Sequence, residues 1–158
     1  MKRHILLLLV LGTLLLGGCC STCRWRVKHA KPLDGTTWHL VQIEGEDIEP
    51  SADKLYMTIS KGKIGGYATC NWFNGQFSTE GKSGIRITKL LSTMRHCNKG
   101  TVLELKMLSA LNRATHYDID YDTLFLLHEG TIIAVFKSAD SLKSTNETKG
   151  AEADKAKK

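Results

Sequence analysis

The residues of this 158-residue chain best suited to chemistry are its five cysteines and six histidines, since these side chains bind metals or act as nucleophiles and bases. Cys20 and Cys23 form a Cys-x-x-Cys pair. A structural zinc site needs four ligands and usually a second such pair, which the sequence lacks. A redox pair is favoured at a helix start, and no helical pattern surrounds this one. We therefore predict no metal and no cofactor.

The other polar residues form no catalytic pattern. Asp118, Asp120 and Asp122 alternate like a row of calcium ligands, but the glycine turn and distal Glu of an EF-hand are missing. The sequence has no Gly-x-Ser-x-Gly, no phosphate-binding loop and no His-Glu-x-x-His. Four histidines lie singly in candidate strands or turns: His39, His96, His116 and His128. The sequence therefore favours a protein that is not an enzyme.

The N-terminus predicts export and lipid attachment. Residues 1–18 combine a positive start with an almost wholly aliphatic run, as in a secretory signal peptide. The run is short for a membrane-spanning helix, which needs about twenty apolar residues. Leu16-Gly17-Gly18-Cys19 then resembles a bacterial lipobox, in which Cys19 receives a diacylglyceryl group and the mature chain begins there. The alternative is a plain signal peptide followed by an incidental cysteine.

A basic linker, residues 19–32, follows the predicted anchor. Its Lys and Arg residues would be attracted to anionic headgroups, and a tryptophan ring favours the boundary between lipid and water. A solvated linker that happens to be basic is the alternative. The candidate membrane-surface contacts are Arg24, Trp25, Arg26, Lys28 and Lys31. Export makes nucleic-acid binding improbable, although the whole chain carries a formal charge of +6.

Residues 33–137 are predicted as one domain, and its patterns are mostly those of strands. Leu55, Met57 and Ile59 alternate with polar residues, which is the period of a half-buried strand. Residues 36–44 predict a first strand with Trp38, Leu40 and Gln42 on one side. Further strands are predicted at 63–69, 85–90, 116–120, 124–128 and 131–137, and Asn74-Gly75 is predicted as a hairpin turn.

One helix and one tail complete the prediction. Thr101-Val102-Leu103-Glu104 matches a capping box, in which the Thr and Glu side chains bond exposed backbone N–H groups. Met107, Ala110 and Leu111 then recur at helical spacing. Residues 138–158 contain Leu142 as their one large apolar residue, so they are predicted to be a disordered tail.

The run from Gly66 to Phe77 contains the pair Cys70-Asn71. It looks like the Gly-x-x-Gly-Cys-Asn-x-x-x-Gly-x-Tyr segment of the META domain, a family that includes the bacterial heat-shock protein HslJ, with Thr69 in place of a Gly and Phe77 in place of the Tyr. Supporting matches are Trp38-x-Leu40, Ser92 to Cys97 and Glu104 to Leu111.

The resemblance implies an α+β, mainly β fold. Joined to the strand patterns, it predicts a strongly bent or barrel-like antiparallel sheet of about eight short strands with one packed helix. It also implies an envelope protein associated with stress tolerance, and no enzymatic activity.

The resemblance and the exported location suggest a disulfide between Cys70 and Cys97, because both cysteines lie in matched turns and the compartment permits disulfides. The alternative is two small buried hydrophobic residues. Asn71, Trp72 and Phe73 form a candidate recognition loop, since aromatic residues dominate binding sites. The alternative is that the aromatic rings cover the core.

We therefore expect a lipid-anchored, non-catalytic protein of the cell envelope that binds or scaffolds a partner, in the outer membrane if the host is Gram-negative. A small apolar ligand or lipid carrier is the first alternative, since a bent sheet can enclose such a ligand. A thiol-disulfide enzyme is the second.

Overall fold

A computed structural model describes residues 29–50, 54–95 and 100–142. The chain divides into two compact units, Met1–Ala30 and Lys31–Lys158, and the fold described below belongs to the second. The predicted signal peptide, Cys19, Cys97 and most of the predicted tail lie outside the described residues. Within the part that is described, no helix is both long and apolar enough to cross a membrane.

Nine strands and one complete helix lie in the described residues, and His29 and residues 139–142 are also helical. The strands are β1 Thr37–Ile43, β2 Glu46–Asp47, β3 Tyr56–Ser60, β4 Lys63–Ala68, β5 Asn71–Glu80, β6 Gly84–Ser92, β7 His116–Asp120, β8 Thr123–His128 and β9 Thr131–Ser138. The helix, α1, spans Thr101–Arg113 between β6 and β7. The mainly β prediction is confirmed, with β2 as a short strand that the sequence patterns missed.

The antiparallel sheet closes on itself. Strands β3 to β9 pair in chain order, and β1 pairs with β3 along one edge and with β9 along the other. β2 pairs with the last two residues of β1, beyond the segment that β3 covers. The weakest junction is that between β6 and β7, which share the single residue pair Gly84 and His116. The bent sheet of the prediction is thus a ring of eight strands.

The interior of the ring is filled by side chains from nearly every strand and from α1. Inward positions alternate along the strands as the period-two patterns predict, for example Met57 and Ile59 in β3. The helix packs its buried face against β1, β4, β6, β8 and β9. The largest fully buried apolar side chains are Trp38, Phe136, Leu40, Ile43, Met57, Ile64, Met107, Leu111, Leu124 and Leu126.

The predicted alternation of β1 is wrong after Leu40, because the strand contains a β-bulge there. The pairing of β1 with β9 shifts between Leu40 and Gln42, so one residue, Val41, is left over. An extra residue reverses the alternation after it. Ile43 is therefore fully buried, while Gln42 is only half-buried and donates from Nε2 to Asp47 Oδ1 at 2.8 Å.

The predicted hairpin turn at Asn74-Gly75 is wrong. Both residues lie inside the ten-residue strand β5, and the turn from β4 into β5 falls at Thr69-Cys70. A tight Asn-Gly turn would need positive φ at both residues, and neither has it. Phe73 and Phe77 bury their rings on the same face at an even spacing, which keeps the strand extended.

The predicted capping box is also wrong. The residue that caps α1 is Gly100, which has φ +92° and no side chain to offer. Glu104 does not reach back to the helix start but is buried against β5. The apolar positions of the helix were predicted correctly, since Met107, Ala110 and Leu111 are buried.

The domain extends slightly beyond the predicted limits. Lys31 joins the fold through its backbone N–H, which donates to the carbonyl of Tyr121, and through an ion pair of 2.8 Å with Asp140. At the other end β9 continues to Ser138, which is fully buried and pairs with Trp38. Residues 139–142, which were also predicted to lie in the disordered tail, are helical, so the predicted tail begins too early by at least five residues.

Gly66 should be required for the ring and its neighbour Gly65 should not. A Cβ at Gly66 would collide with the carbonyl oxygen of Tyr56 and lie 2.8 Å from Met57 Cα, both of which are backbone atoms. A Cβ at Gly65 would lie 3.4 Å from its nearest neighbour, the carbonyl oxygen of Phe73. We expect Gly66→Ala to lower the free energy of unfolding by about 3 kcal/mol and Gly65→Ala by less than about 1 kcal/mol. Urea unfolding measures both, and equal losses would contradict the prediction.

Candidate interaction site around Asn71

The buried amide of Asn71 joins three separate segments of the chain. Its Nδ2 donates to Glu104 Oε1 in α1 at 2.9 Å and to the carbonyl of Arg95 at 3.4 Å. Its Oδ1 accepts from Thr93 Oγ1 and from the backbone N–H of Arg95, each at 2.8 Å. Asn71 thus ties β5 to the segment that follows β6 and to the first turn of α1. We call Thr69, Asn71, Thr93, Arg95 and Glu104 the Asn71 cluster.

The Asn71 cluster supplies hydrogen-bond partners for the buried carboxyl group of Glu104. One oxygen accepts from Asn71, and the other lies 3.5 Å from Thr69 Oγ1. Burying an acidic group is costly unless hydrogen bonds replace the lost water. The sequence places Glu104 on the buried face of a helix among apolar residues, which could have suggested such a partner.

Thr69 takes the backbone conformation for which a glycine is best suited. Its φ is +58°, in the left-handed region. Thr69 thus has the positive φ that the family's usual Gly would favour. The Thr69 hydroxyl group donates to the carbonyl of Gly100 at 3.1 Å, so the side chain adds a contact to the helix start. Gly100 must itself be small, because a Cβ there would lie 3.0 Å from Thr69 Cβ.

Cys70 points toward the same segment. Its Sγ lies 3.9 Å from the carbonyl oxygen of Arg95, two residues before Cys97 in the sequence. Cys70 is disulfide-bonded in the structure. Cys97 lies outside the described residues, so the pairing of Cys70 with Cys97 stays a prediction.

The three residues of the candidate recognition loop have different environments, and they lie in strand β5 rather than in a loop. Asn71 and Phe73 are buried, so neither side chain can form a recognition surface. Trp72 is 54% exposed. Its backbone N–H donates to Thr93 Oγ1 and its carbonyl accepts from the Thr93 N–H, so the Asn71 cluster fixes its position.

Trp72 ends a row of rings on the outer face of the sheet. Its indole lies edge-on to Tyr67 with ring centroids 5.0 Å apart, and to Tyr56 at 6.3 Å. Tyr56 in turn contacts the buried ring of His39 at 5.7 Å. These residues are direct neighbours across β1, β3, β4 and β5. The row was not predicted, because strand pairing had to be known first.

Exposed aliphatic residues lie on the segments that Asn71 joins. Met94, between Thr93 and Arg95, is fully exposed. Leu91 near the end of β6 is also exposed, as are Val102 and Leu105, one turn apart on α1. Exposed large apolar side chains on neighbouring segments are candidates for an interaction site. We call Trp72, Leu91, Met94, Val102 and Leu105 the apolar rim.

The remaining predicted site residues do not converge on this region. Lys31 is paired with Asp140, so its charge is partly neutralised within the domain. Hydrogen bonding to Asp140 raises the pKa of the Lys31 ammonium group. The other four candidate membrane contacts, Arg24 to Lys28, lie outside the described residues.

The described residues contain no group of His, Cys, Asp or Glu side chains that could hold a metal ion. In the alternating acidic row, Asp118 accepts from the N–H of Ile119, while Asp122 accepts from Thr123 and Lys137. Burial alone would raise the pKa of Asp122, but hydrogen bonds from Ser141, Lys137 and Thr123 hold it below its ordinary value. These carboxylates therefore serve local structure.

The fold and the cluster together define a small domain built from a closed sheet and one helix. Residues 31–140 match the META domain, and the chain belongs to that family. An NMR structure of a protein from Burkholderia xenovorans is similar, with 22% identity and a TM-score of 0.54 over 67% of this chain and 83% of that one. A crystal structure of a DUF4847 family protein from Bacteroides vulgatus has 19% identity and a TM-score of 0.50 over 68% and 94%. At these identities the likeness shows the fold alone. A comparison with curated proteins found no match.

Removing the Asn71 amide should destabilise the fold much more than removing the same amide three residues away. Asn71→Ala would leave the Glu104 carboxyl group buried without its best donor and would release Thr93 and Arg95. We expect a loss of about 2–4 kcal/mol in the free energy of unfolding. Asn74→Ala, on the exposed face of the same strand, should change it by less than about 0.5 kcal/mol. Similar values for the two variants in urea unfolding would contradict the assigned role.

The predicted disulfide can be tested on natively exported protein. We expect Cys70 and Cys97 to resist alkylation without reductant, as read by intact mass and peptide mapping. A bridge closing 97 − 70 = 27 residues would contribute roughly 3 to 4 kcal/mol. The Cys70→Ser/Cys97→Ser variant should lose about that stability. Labelling of both thiols in the native protein would contradict the pairing.

Proposed function

We propose that this META-domain protein is a lipid-anchored, non-catalytic component of the cell envelope that binds its partner through the apolar rim. The proposal unites a predicted acyl attachment at Cys19 with an exposed surface held in place by the Asn71 cluster. A role in stress tolerance is part of the proposal and follows from the family resemblance.

The observation that carries the proposal is the contrast between Trp72 and its neighbours. Asn71 and Phe73 on either side are buried, and the Asn71 amide ties the start of β5 to α1 and to Arg95. Trp72 is exposed on a backbone that Thr93 holds by two hydrogen bonds, where a large ring can be buried by a partner at little entropic cost. A rigid, exposed aromatic residue beside other exposed apolar groups is typical of a binding hot spot.

The interior of the ring favours this proposal over a carrier. A carrier needs an apolar space for its ligand. Among the described residues, large side chains such as Trp38, Phe136 and Met57 occupy the centre of the ring and are fully buried. Cys70 is disulfide-bonded and its Sγ lies 3.9 Å from the carbonyl oxygen of Arg95, which favours a structural role for this cysteine over thiol exchange.

Site-specific crosslinking in intact cells tests the binding surface. A photoreactive amino acid would replace Trp72 or, as the matched control, Tyr121, which is 53% exposed. We expect discrete adducts with an envelope component from position 72 and none from position 121. Equal labelling from both positions, or none from either, would contradict the apolar rim as the binding surface.

The anchor is tested separately in the same strain. We expect the mature protein to carry acyl chains by intact mass, and Cys19→Ala to abolish them and release the domain from the membrane fraction. An unmodified mature N-terminus in the unsubstituted protein would contradict the anchor while leaving the crosslinking result interpretable.

A further inference from the structure

The charged side chains of the domain are segregated along the chain. Residues 54–95, which contain β3 to β6, have seven Lys or Arg and one Glu, a net charge of +6. The other described stretches, 29–50 and 100–142, have four Lys or Arg and eleven Asp or Glu, a net charge of −7. Because β3 to β6 are consecutive neighbours in the ring, the domain has one basic side and one acidic side.

The cations of the basic side all reach solvent. Lys63 and Arg86 lie on the outer face of the sheet, since their neighbours Ile64, Ile85 and Ile87 are buried inside. The one acid, Glu80, forms an ion pair of 2.7 Å with Arg86. The exposed cations are Lys54, Lys61, Lys63, Lys82, Arg86, Lys89 and Arg95. We call the outer surface of β3 to β6 the basic face.

The indole of Trp72 and the aromatic side chains next to it lie on the basic face. Trp72 and Tyr67 are cross-strand partners, as are Tyr67 and Tyr56. Leu91 is paired with Asn74, whose side chain points outward like that of Trp72 two residues earlier. Met94 continues the surface beyond β6 and is followed directly by the exposed Arg95.

This combination has the chemistry of a surface that binds anionic lipid. Tryptophan and tyrosine favour the headgroup region, exposed Leu and Met enter the acyl boundary, and Lys and Arg are attracted to anionic headgroups. A soluble polyanion would use the cations but would gain little from Met94 and Leu91. An apolar protein surface would bind the exposed apolar side chains but would gain nothing from the seven cations around them.

The predicted tether would bring the basic face within reach of a bilayer. Lys31 lies twelve residues after Cys19, and an extended chain of twelve steps spans at most about 40 Å. A domain of this size is roughly 35 Å across. Tethering converts binding into an intramolecular event at high effective concentration, so a weak surface interaction is sufficient to orient the domain.

We propose that the domain lies on the membrane through its basic face, with Trp72 at the lipid-water boundary and the acidic side turned away. This proposal rests on the proposed function, because it names anionic lipid as what Trp72, Leu91 and Met94 bind, the part of the apolar rim that lies on the basic face. Lys61, Lys63 and Lys89 are exposed cations in the segments that form this face.

Fluorescence quenching by brominated phospholipids tests the orientation. The full-length mature lipoprotein, carrying Trp25→Phe, is reconstituted in phosphatidylcholine vesicles with about one third phosphatidylglycerol. Emission then comes from Trp72 and from Trp38, which is fully buried and serves as an internal reference. We expect strong quenching that disappears with Trp72→Phe, weakens in pure phosphatidylcholine and weakens at about 0.5 M salt.

Charge variants sharpen the test. Lys61→Gln/Lys63→Gln/Lys89→Gln should lower the ratio of docked to undocked protein by about tenfold or more. As a control on the acidic side, Glu49→Gln/Glu129→Gln should not reduce quenching.

Quenching that is equal with and without Trp72, or that is indifferent to both anionic lipid and salt, would overturn the proposal. Crosslinks from position 72 to a protein, with no quenching in vesicles, would also overturn it and would leave the proposed function standing.

Discussion

The side-chain amide of Asn71 is the constraint on which this structure depends. It bonds to the segment after β6 and to the first turn of α1, so a single buried group positions three stretches that are distant in sequence. Its four hydrogen bonds use both donors and both lone pairs of the amide. A buried polar group that is fully satisfied specifies one arrangement, because any alternative leaves a donor or acceptor unpaired. The turn at Thr69 and the start of α1 at Gly100 follow from that arrangement.

In the closed ring, the inward side chains stabilise the fold and the outward side chains remain available for binding. Inward side chains fill the interior together with one face of α1, and the ring leaves β1 and β9 paired with each other instead of exposed as edges. Outward side chains carry little of the packing. The outer face of β3 to β6 can therefore hold exposed rings and cations, which would be costly in a core. This division explains how an exposed Trp72 lies between two buried neighbours.

The sequence predicted the regular parts of the fold well, because alternation is visible wherever a strand has one buried face. It failed where a local signal competed with long-range contacts. Asn74-Gly75 has the composition of a hairpin turn, but Phe73 and Phe77 both bury their rings and hold the strand straight. Thr101 and Glu104 have the spacing of a capping box, but the carboxyl group of Glu104 is drawn to Asn71. In each case a tertiary contact outweighed a preference of a few tenths to about 1 kcal/mol.

The amino-acid sequence by itself determined the fold class, the family and the approximate limits of the domain, since these rest on periodicity and on motifs that are local in the chain. It also placed Cys70, Asn71 and Trp72 in one segment. Only the tertiary structure decided that Asn71 is a buried link and that Trp72 is exposed, because adjacent residues on a strand point to opposite faces and the pattern does not say which face is covered. The same is true of the basic face. Its cations are spread over forty-two residues of sequence, 54–95, and become one surface only when β3 to β6 pair side by side.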